Sequence, residues 1–246
     1  MEVAPGIYRV QSGNEVIYAL ACGEGSYALV DVGSEPELPA KLEELGKDGI
    51  DPKHVGAVLI THFHHDHCGA LPRLRQQAPA RVVTHRLSVE KPAYCVAVPG
   101  IPKELVDYTV EDGDQVEIGN LALLVRHLPG HTPDSVAWQL GQDFFVGDVI
   151  FDWGGVGWMD AHWGSCVADY RSSLQHLHRL KPAMLYPGHG QPVAMTRELL
   201  DKALANLTNL AEADGSPINH IGHAAPRRRS DSPPKTIRLS SAAGPS

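Results

Sequence analysis

The chain has 246 residues, 43% of them hydrophobic and 20% charged, which is ordinary for a globular protein that buries its core in one domain. Its net charge of −8 disfavours nucleic acid or an anionic membrane as the main partner. The four cysteines form no CxxC pair, which excludes a disulfide-stapled protein, and no apolar run reaches the length of a membrane span, which excludes a transmembrane protein. Met1–Val10 has no secretory signal, which favours a cytoplasmic location.

The first part of the chain predicts strands followed by helices. Short β-branched or aromatic runs between glycine-containing turns indicate an antiparallel meander at Ile7–Val10, Val16–Ala21 and Tyr27–Val32. Leucines at helical spacing predict a helix over Leu38–Leu45 that closes on Gly46. A continuous apolar run predicts a buried strand over Val55–Ile60, which leads directly into a cluster of histidines. A helix over Leu71–Gln77 and a strand over Arg81–Thr84 are expected next.

The second part repeats this order of elements. Strands are predicted at Tyr108–Val110, Gln115–Ile118, Ala122–His127, Ser135–Leu140 and Phe144–Val146. A helix over Val167–Leu180, a strand at Met184–Tyr186 and a helix over Arg197–Ala211 follow. Two parts of similar make-up suggest two sheets with helices on the outside.

A change in composition separates residues 1–212, the predicted folded domain, from residues 213–246. The second segment carries five Lys or Arg against two acids, is rich in Pro and Ser, and has no apolar periodicity. Because it offers little apolar surface to offset the entropy of ordering, we expect a disordered or loosely docked basic tail. Its run Arg227–Arg229 is interpreted as a solvated charge run rather than a nucleic-acid contact.

The histidines, fourteen in all, are concentrated where the chemistry is expected. Four of them and one aspartate lie within Thr61–His67, directly after the predicted buried strand. Imidazole nitrogens and carboxylate oxygens suit zinc, iron or manganese. Alternate residues of an extended segment point the same way, so His62 and His64 can reach one metal. A tighter turn then directs Asp66 and His67 toward a neighbouring position.

Further ligands are available at three later loops. His131, Asp148 and His189 each follow a predicted strand, and each is preceded by glycine, which lets the backbone approach a crowded site without a Cβ clash. A single Gly-His or Gly-Asp pair is more often an ordinary turn. Three such pairs, all downstream of the histidine cluster, indicate one shared site.

The order T-H-x-H-x-D-H, G-H, G-D and P-G-H-G resembles the metallo-β-lactamase-fold hydrolase superfamily, over a match that extends from Gly6 to Gly190. The resemblance implies an α+β fold, a four-layer αβ/βα sandwich of two mixed β-sheets with external helices. It implies a first metal held by His62, His64 and His131, a second held by Asp66, His67 and His189, and Asp148 between them. Asp31 matches the early aspartate of the family, which supports the histidine loop from outside the ligand set. His65 falls at a variable position of the motif.

Particular residues favour one branch of this superfamily. A bridging Asp148 is typical of glyoxalase II-like and lactonase-like hydrolases and not of true β-lactamases. Asp66 and His67 argue against the flavo-diiron relatives, which carry acids at motif histidines. No long helical domain follows His189, which argues against a glutathione substrate. Cys68 replaces a glycine of the motif and is interpreted as a small packing residue.

The resemblance implies hydrolysis with two divalent ions, zinc first and iron or manganese as alternatives, in which a metal-bridging hydroxide attacks a carbonyl. Asp66 and Asp148 are the candidate catalytic carboxylates, which hold the nucleophile and pass its proton to the leaving group. The expected bond is that of an ester, lactone or thioester in a small-molecule substrate. Two other functions remain open: a mono-iron persulfide dioxygenase, and a metal-bearing binding or regulatory protein with little turnover.

An aromatic segment directly after Asp148 is the candidate substrate pocket. Trp153, Trp158 and Trp163 lie there in a chain that is only 6% aromatic, and glycines interrupt the segment as in a mobile loop. His162 is included as a residue that lines the pocket or assists proton transfer. The alternative is a small satellite core beneath a loop. Since the segment lacks a Lys/Arg cluster, we expect a neutral, moderately apolar ester or lactone, with a thioester second.

Overall fold

The structure is a computed structural model and describes residues 1–212 and 233–240. The first sheet has seven strands, which lie in chain order: β1 Glu2–Ala4, β2 Ile7–Ser12, β3 Glu15–Ala21, β4 Tyr27–Val30, β5 Val55–Leu59, β6 Arg81–His85 and β7 Tyr108–Val110. Strands β1 to β4 are antiparallel, and β4 to β7 are parallel. The change of direction occurs where the chain leaves the predicted meander and begins to alternate strands with helices.

The second sheet also has seven strands and is also mixed. Its strands are β8 Gln115–Ile118, β9 Leu121–His127, β10 Val136–Leu140, β11 Asp143–Gly147, β12 Met184–Pro187, β13 Val193–Ala194 and β14 Thr236–Leu239, in the spatial order β13-β12-β11-β10-β9-β8-β14. Strands β11 and β12 pair in parallel, as do β14 and β8, while the other neighbours are antiparallel.

The helices lie outside the two sheets, as the sequence predicts. They are α1 Leu38–Lys47, α2 His65–Cys68, α3 Leu71–Leu74, α4 Arg86–Val89, α5 Val167–Arg179 and α6 Arg197–Glu212. Three buried clusters separate the layers: one between the sheets, one between the first sheet and its helices, and one between the second sheet and α5 and α6. The expected four-layer sandwich is confirmed. Among the described residues, no helix is both long and apolar enough to cross a membrane.

Two predicted helices differ in length from those observed by more than one residue. Helix α1 continues through Gly46 to Lys47 and ends before Gly49, whose φ of +75° is the left-handed conformation that terminates a helix. Helix α3 ends at Leu74, and turns replace the remainder of the predicted stretch to Gln77. The expectation at Gly46 was wrong because two glycines lie near this helix end, and spacing alone does not show which one is left-handed.

The predicted tail is wrong for the part of it that the structure describes. Residues 236–239 form β14, which extends the second sheet in parallel beside β8. Ile237 and Leu239 are each 8% exposed and join the core between the sheets. Thr236 and Arg238 alternate with them on the exposed face, so the segment has a strand periodicity too short to stand out in the sequence. The Arg227–Arg229 run lies outside the described residues.

Candidate metal centre

The loop after β5 brings the first three candidate ligands together. His62 and His64 lie on the extended segment between β5 and α2, and His131 lies in the loop after β9. The His131 Nε2 atom is 3.2 Å from His62 Nε2 and 2.9 Å from His64 Nδ1. These three side chains form one group of atoms that could hold a metal ion.

A second group of four side chains lies beside the first. Helix α2 directs Asp66 and His67 toward Asp148, which follows β11, and His189, which follows β12. The His189 Nε2 atom is 3.3 Å from Asp66 Oδ2 and 3.5 Å from Asp148 Oδ1. The His67 Nε2 atom is 3.2 Å from Asp148 Oδ1. Candidate ligand atoms within each group all lie within 4.8 Å of one another.

Asp148 lies between the two groups. Its Oδ1 atom faces His67 and His189 of the second group, while its Oδ2 atom is 3.7 Å from His131 Nε2 of the first. The structure therefore brings all seven side chains together in the two sets that the resemblance implies. Their roles as ligands stay a prediction.

Four of the histidine rings have a hydrogen-bond partner for Nδ1, which leaves Nε2 directed at the centre. The Nδ1 partners of His62, His67, His131 and His189 are Thr61 Oγ1 at 3.1 Å, Asp31 Oδ2 at 2.8 Å, the Trp158 carbonyl at 2.8 Å and the Asn14 carbonyl at 2.6 Å. When such a ring is neutral, its one proton lies on Nδ1, and Nε2 becomes a lone-pair donor.

Several buried nitrogen and oxygen atoms at the centre lack a suitable partner in the protein but would suit a metal ion. His67 Nε2 and Asp148 Oδ1 are buried and 3.2 Å apart, but they do not meet in hydrogen-bond geometry, and neither has another hydrogen-bond partner among the described residues. Three imidazole nitrogens also converge between His62, His64 and His131, where lone pairs repel unless a cation or protons lie between them. Nitrogen and carboxylate oxygen are the ligand types of zinc and of divalent iron or manganese, so the residues present fit two such ions.

The two groups differ in their electrostatics. Burial lowers the pKa of His62 and His131 below the ordinary imidazole value and lowers the pKa of His64 to about 3, so these rings are neutral. Burial opposes charge on His67 and His189 too, but the neighbouring carboxylates raise the pKa of His67 well above its usual value and that of His189 to about 10. Protons therefore balance the carboxylates of the second group, and binding of a cation would displace them.

Asp31 lies directly beneath the histidine loop. Its carboxylate accepts hydrogen bonds from the Thr61 backbone N–H at 2.8 Å, from the Thr61 hydroxyl at 2.7 Å and from His67 Nδ1 at 2.8 Å. The residue is 2% exposed, and its φ of +61° is a left-handed conformation that costs free energy outside glycine. Asp31 thus orients one ring of the second group and, through Thr61, one ring of the first.

Two of the predicted glycines are required by close approach to the histidine loop. A Cβ on Gly188 would lie 2.5 Å from His67 Cε1, and a Cβ on Gly147 would lie 2.5 Å from Thr61 Oγ1. Gly147 also has a φ of +51°. Both positions therefore need glycine for the loops after β11 and β12 to reach the histidine loop.

A cavity of about 890 Å³ opens over the candidate ligands. Its lining includes Trp153, Trp158 and Trp163, and the Trp163 ring packs edge-on against His64 at 4.9 Å between centroids. Trp153 and Trp158 remain 57% and 64% exposed, so they form part of the rim and not a closed satellite core. His162 was expected to line this cavity, but it is not part of the lining, because its exposed ring turns outward to Asp160 Oδ1 at 3.0 Å.

A sequence profile described as "Metallo-beta-lactamase superfamily" matches residues 13–189, which is more than half of the chain. The chain belongs to the metallo-beta-lactamase superfamily. The resemblance drawn from the T-H-x-H-x-D-H motif and the later glycine-preceded residues is thereby confirmed at the level of the superfamily.

The relatives in this superfamily include enzymes of the glyoxalase II type. Hydroxyacylglutathione hydrolase of Photobacterium profundum is 40% identical over 98 residues, which cover 40% of this chain and 34% of that protein. Beta-lactamase-like protein 2 homolog of Caenorhabditis elegans is 27% identical over 203 residues, covering 80% of this chain and 62% of that protein. The chain thus spans less than two thirds of the length of either relative.

Solved metallo-beta-lactamase structures share the fold. MEM-A1, a subclass B3 enzyme from a soil metagenome library, superposes with a TM-score of 0.68 at 20% identity and covers 85% of this chain and 94% of its own. A metallo-beta-lactamase family protein of Thermus thermophilus superposes with a TM-score of 0.67 at 24% identity, covering 86% and 82%. At such low identity the likeness concerns the fold alone.

Two residues of the superfamily motif lie outside both groups. His65 is exposed at the start of α2 and lines the cavity without joining either group. Cys68 donates from Sγ to the Phe63 carbonyl at 3.3 Å, and burial raises the pKa of its thiol above the ordinary value.

Other wall residues carried no signal in the sequence. One side of the cavity is formed by Ala97, Val98 and Pro99, and another by Gln11 and Asn14 next to the β2–β3 turn. These residues belong to no motif and are ordinary in type. Only their position around the cavity makes them part of the site, and a single sequence does not contain that information.

Proposed function

We propose that this chain is a metal-dependent hydrolase with two divalent ions, most suitably zinc. The first ion is assigned to His62, His64 and His131, and the second to Asp66, His67 and His189, with Asp148 between the two. The observation that carries the proposal is the convergence of these seven side chains in two adjacent groups at the floor of one cavity. When bound, two such ions supply Lewis acidity and a water that is nucleophilic at neutral pH.

The remaining chemistry falls to carboxylates of the chain. Asp66 and Asp148 both line the cavity, and the side chain of Asp66 is 40% exposed there. Their positions allow the carboxylate oxygens to accept a proton from the attacking water and to return it to the leaving group. Nδ1 contacts hold the surrounding imidazole rings in place, so no side chain must reorient during this transfer.

The walls of the cavity favour a neutral, moderately apolar ester or lactone, with a thioester second. Aromatic and apolar side chains form most of the lining above the carboxylates and histidines. Among the described residues that line the cavity, none is Lys or Arg, so carboxylates or phosphates of a substrate that lie away from the proposed ions would lack a counter-charge. The relatives named hydroxyacylglutathione hydrolase support the thioester as the second choice.

A matched substrate panel on protein purified without added metal tests the activity. The panel contains acyl lactones, aryl esters, glutathione thioesters and phosphodiesters, and metal content is measured on the same preparation. We expect two metal ions per chain, the highest kcat/KM for an apolar ester or lactone, and at least about a hundredfold loss in Asp148→Asn. Asp143→Asn, at the opposite end of β11, is the matched control. Preferred phosphodiester cleavage, one iron with oxygen uptake, or two metals without turnover would each contradict the proposal.

Substitutions in the aromatic wall test the substrate class separately. We expect Trp158→Ala and Trp163→Ala to lower kcat/KM for apolar substrates by about tenfold, because each removes an aromatic surface against which the substrate packs. Tyr108→Ala, which removes an exposed aromatic ring outside the cavity, is the control. If both tryptophan variants leave kcat/KM unchanged, the wall does not select the substrate.

A further inference from the structure

The loop that carries His189 is held mainly by the opposite sheet. It follows β12 of the second sheet, yet three carbonyls, one at the end of β12 and two in the loop, accept hydrogen bonds from β2 and β3 of the first sheet. Pro187 accepts from the Tyr18 hydroxyl at 2.9 Å, Gly188 from the Val16 N–H at 2.9 Å, and Gly190 from Arg9 Nε at 3.1 Å. The His189 Nδ1 atom itself donates to the Asn14 carbonyl at 2.6 Å, in the turn between β2 and β3.

Arg9 is the one charged side chain among these contacts. Ile7, Arg9 and Gln11 are alternate residues of β2, so their side chains share the face that points toward the second sheet. Arg9 pairs with Tyr18 in the β2–β3 register. Its guanidinium directs both Nε and Nη2 at the Gly190 carbonyl, and Nη2 also donates to Gln11 Oε1 at 2.7 Å. Gln11 and Gly190 both line the cavity.

Stability of the sandwich alone gives no reason for an arginine at this position. Arg9 is only 8% exposed, and its hydrogen bonds go to neutral carbonyl and amide oxygens and not to a carboxylate. Burying a cation against neutral partners costs free energy, and an apolar side chain of similar size would fill the space between the sheets at lower cost. Arg9 instead donates to the carbonyl of Gly190, the residue that follows His189.

We propose that Arg9 is a positioning residue for the second metal group. By fastening the Gly190 carbonyl to the first sheet, Arg9 fixes the His189 ring so that Nε2 stays 3.3 Å from Asp66 Oδ2 and 3.5 Å from Asp148 Oδ1. The first group has no residue in this loop, so it does not depend on Arg9. This inference rests on the metal centre of the proposed function, and it does not depend on the substrate.

The direction of the expected effect separates positioning from simple charge. Arg9 is a positive charge next to a loop that would bind a cation, so its removal would strengthen metal binding if Coulomb repulsion were its only influence. Positioning predicts the opposite sign. Loss of a residue that orients a metal ligand typically weakens metal affinity by about 10- to 100-fold.

Zinc titration against a competing chelator is the test, carried out on the full chain with Arg9→Met. We expect affinity for the second ion to fall about 10- to 100-fold while affinity for the first is unchanged. In parallel, NMR of ¹⁵N-histidine-labelled protein should show a change at His189 and none at His131. Arg126→Met, a half-buried arginine on β9 that bonds Gln139, is the matched control and should bind both ions as the wild type does.

Several outcomes would overturn the role of Arg9. These are unchanged or tighter binding of the second ion in Arg9→Met, an equal loss at both sites, or the same loss in Arg126→Met. If Arg9→Met fails to fold, Arg9→Lys retains the charge but not the two-nitrogen contact and should show a smaller, second-site loss. A wild-type chain that binds fewer than two ions would overturn the second metal group and this role together. Two bound ions without hydrolysis would overturn the proposed activity alone.

Discussion

In these imidazole rings, the hydrogen bond at the nitrogen that faces away from the centre determines how the other nitrogen is presented to a metal. His131 and His189 are oriented by the backbone carbonyls of Trp158 and Asn14, which no substitution of those side chains removes directly. His67 is oriented by a side chain, the Asp31 carboxylate, and this contact can be tested by mutation. Such outer contacts fix both the tautomer and the direction of a ligand ring.

We expect Asp31→Asn to weaken metal affinity about 10- to 100-fold without unfolding the chain. Three donors point at the Asp31 carboxylate, and an asparagine amide would place N–H groups against at least one of them. Asparagine tolerates the positive φ of this position, so the backbone need not change. Competitive zinc titration measures the affinity, and far-UV circular dichroism verifies the fold.

Asp51→Asn serves as the control for this substitution. Asp51 is an exposed aspartate that belongs to neither group of candidate ligands, and its Oδ1 accepts from the nearby Lys53 N–H. If Asp31→Asn bound zinc as tightly as the wild type, the orienting role assigned to Asp31 would be refuted.

Most of the candidate ligands lie in loops that directly follow a strand. His62, His131, Asp148 and His189 follow β5, β9, β11 and β12, so rigid strands fix where each loop begins.

Strand β14 contributes to the core and not to the site. It covers the otherwise open edge of β8, and its Ile237 and Leu239 extend the core between the sheets.

Truncating the buried side of β14 should lower the stability of the fold. We expect Ile237→Ala to cost about 2 kcal/mol of unfolding free energy, at the low end for a buried aliphatic residue because the strand is at an edge. In a chain of this size that corresponds to a fall in Tm of about 4–8 °C, measured by calorimetry. The metal content should not change, since β14 supplies none of the candidate ligands.

Thr236→Ala on the exposed face of the same strand is the matched control and should shift Tm by about 1 °C or less. If Ile237→Ala had no larger effect than this control, β14 would not contribute to the core in solution.

The site joins the two halves of the protein. The first group takes two histidines from the loop after β5 and one from the loop after β9, so an ion held there would link the first sheet to the second. The second group does the same with Asp66 and His67 on one side and Asp148 and His189 on the other. Anything that binds only the folded arrangement stabilises it by mass action.

Removal of metal should therefore destabilise the whole fold in one cooperative step. With free ion at about 100 times its Kd, the linkage amounts to about 2.7 kcal/mol for each of the two ions. We expect chelation of both ions to lower Tm by about 10–20 °C and readdition of zinc to restore it. Calorimetry measures the shift, and metal analysis confirms the removal. A Tm that did not change after complete removal would mean that the ions do not link the sheets.

Much of this architecture is legible in the sequence because its signals are local. Period-two runs and leucine spacing predict most strands and the long helices, since side-chain direction repeats within a few residues. The cluster at His62, His64, Asp66 and His67 is likewise contained within six residues. The glycines before His131, Asp148 and His189 mark close backbone approach, and the structure shows such an approach at Gly147 and Gly188.

Most of the remaining features depend on contacts between residues far apart in the chain, for which the sequence has no local signal. Arg9 donates to the Gly190 carbonyl, which is 181 residues away in the chain, and the Asn14 carbonyl orients His189, which is 175 residues away. The Lys235 backbone N–H donates to the Asp114 carboxylate, which is 121 residues away. Ala97, Val98 and Pro99 become a cavity wall only when the sheets pack. His162 faces solvent because Asp160, two residues away, accepts from its ring. In each case the residue type is ordinary, and packing of the two sheets or the local turn determines which partner it meets.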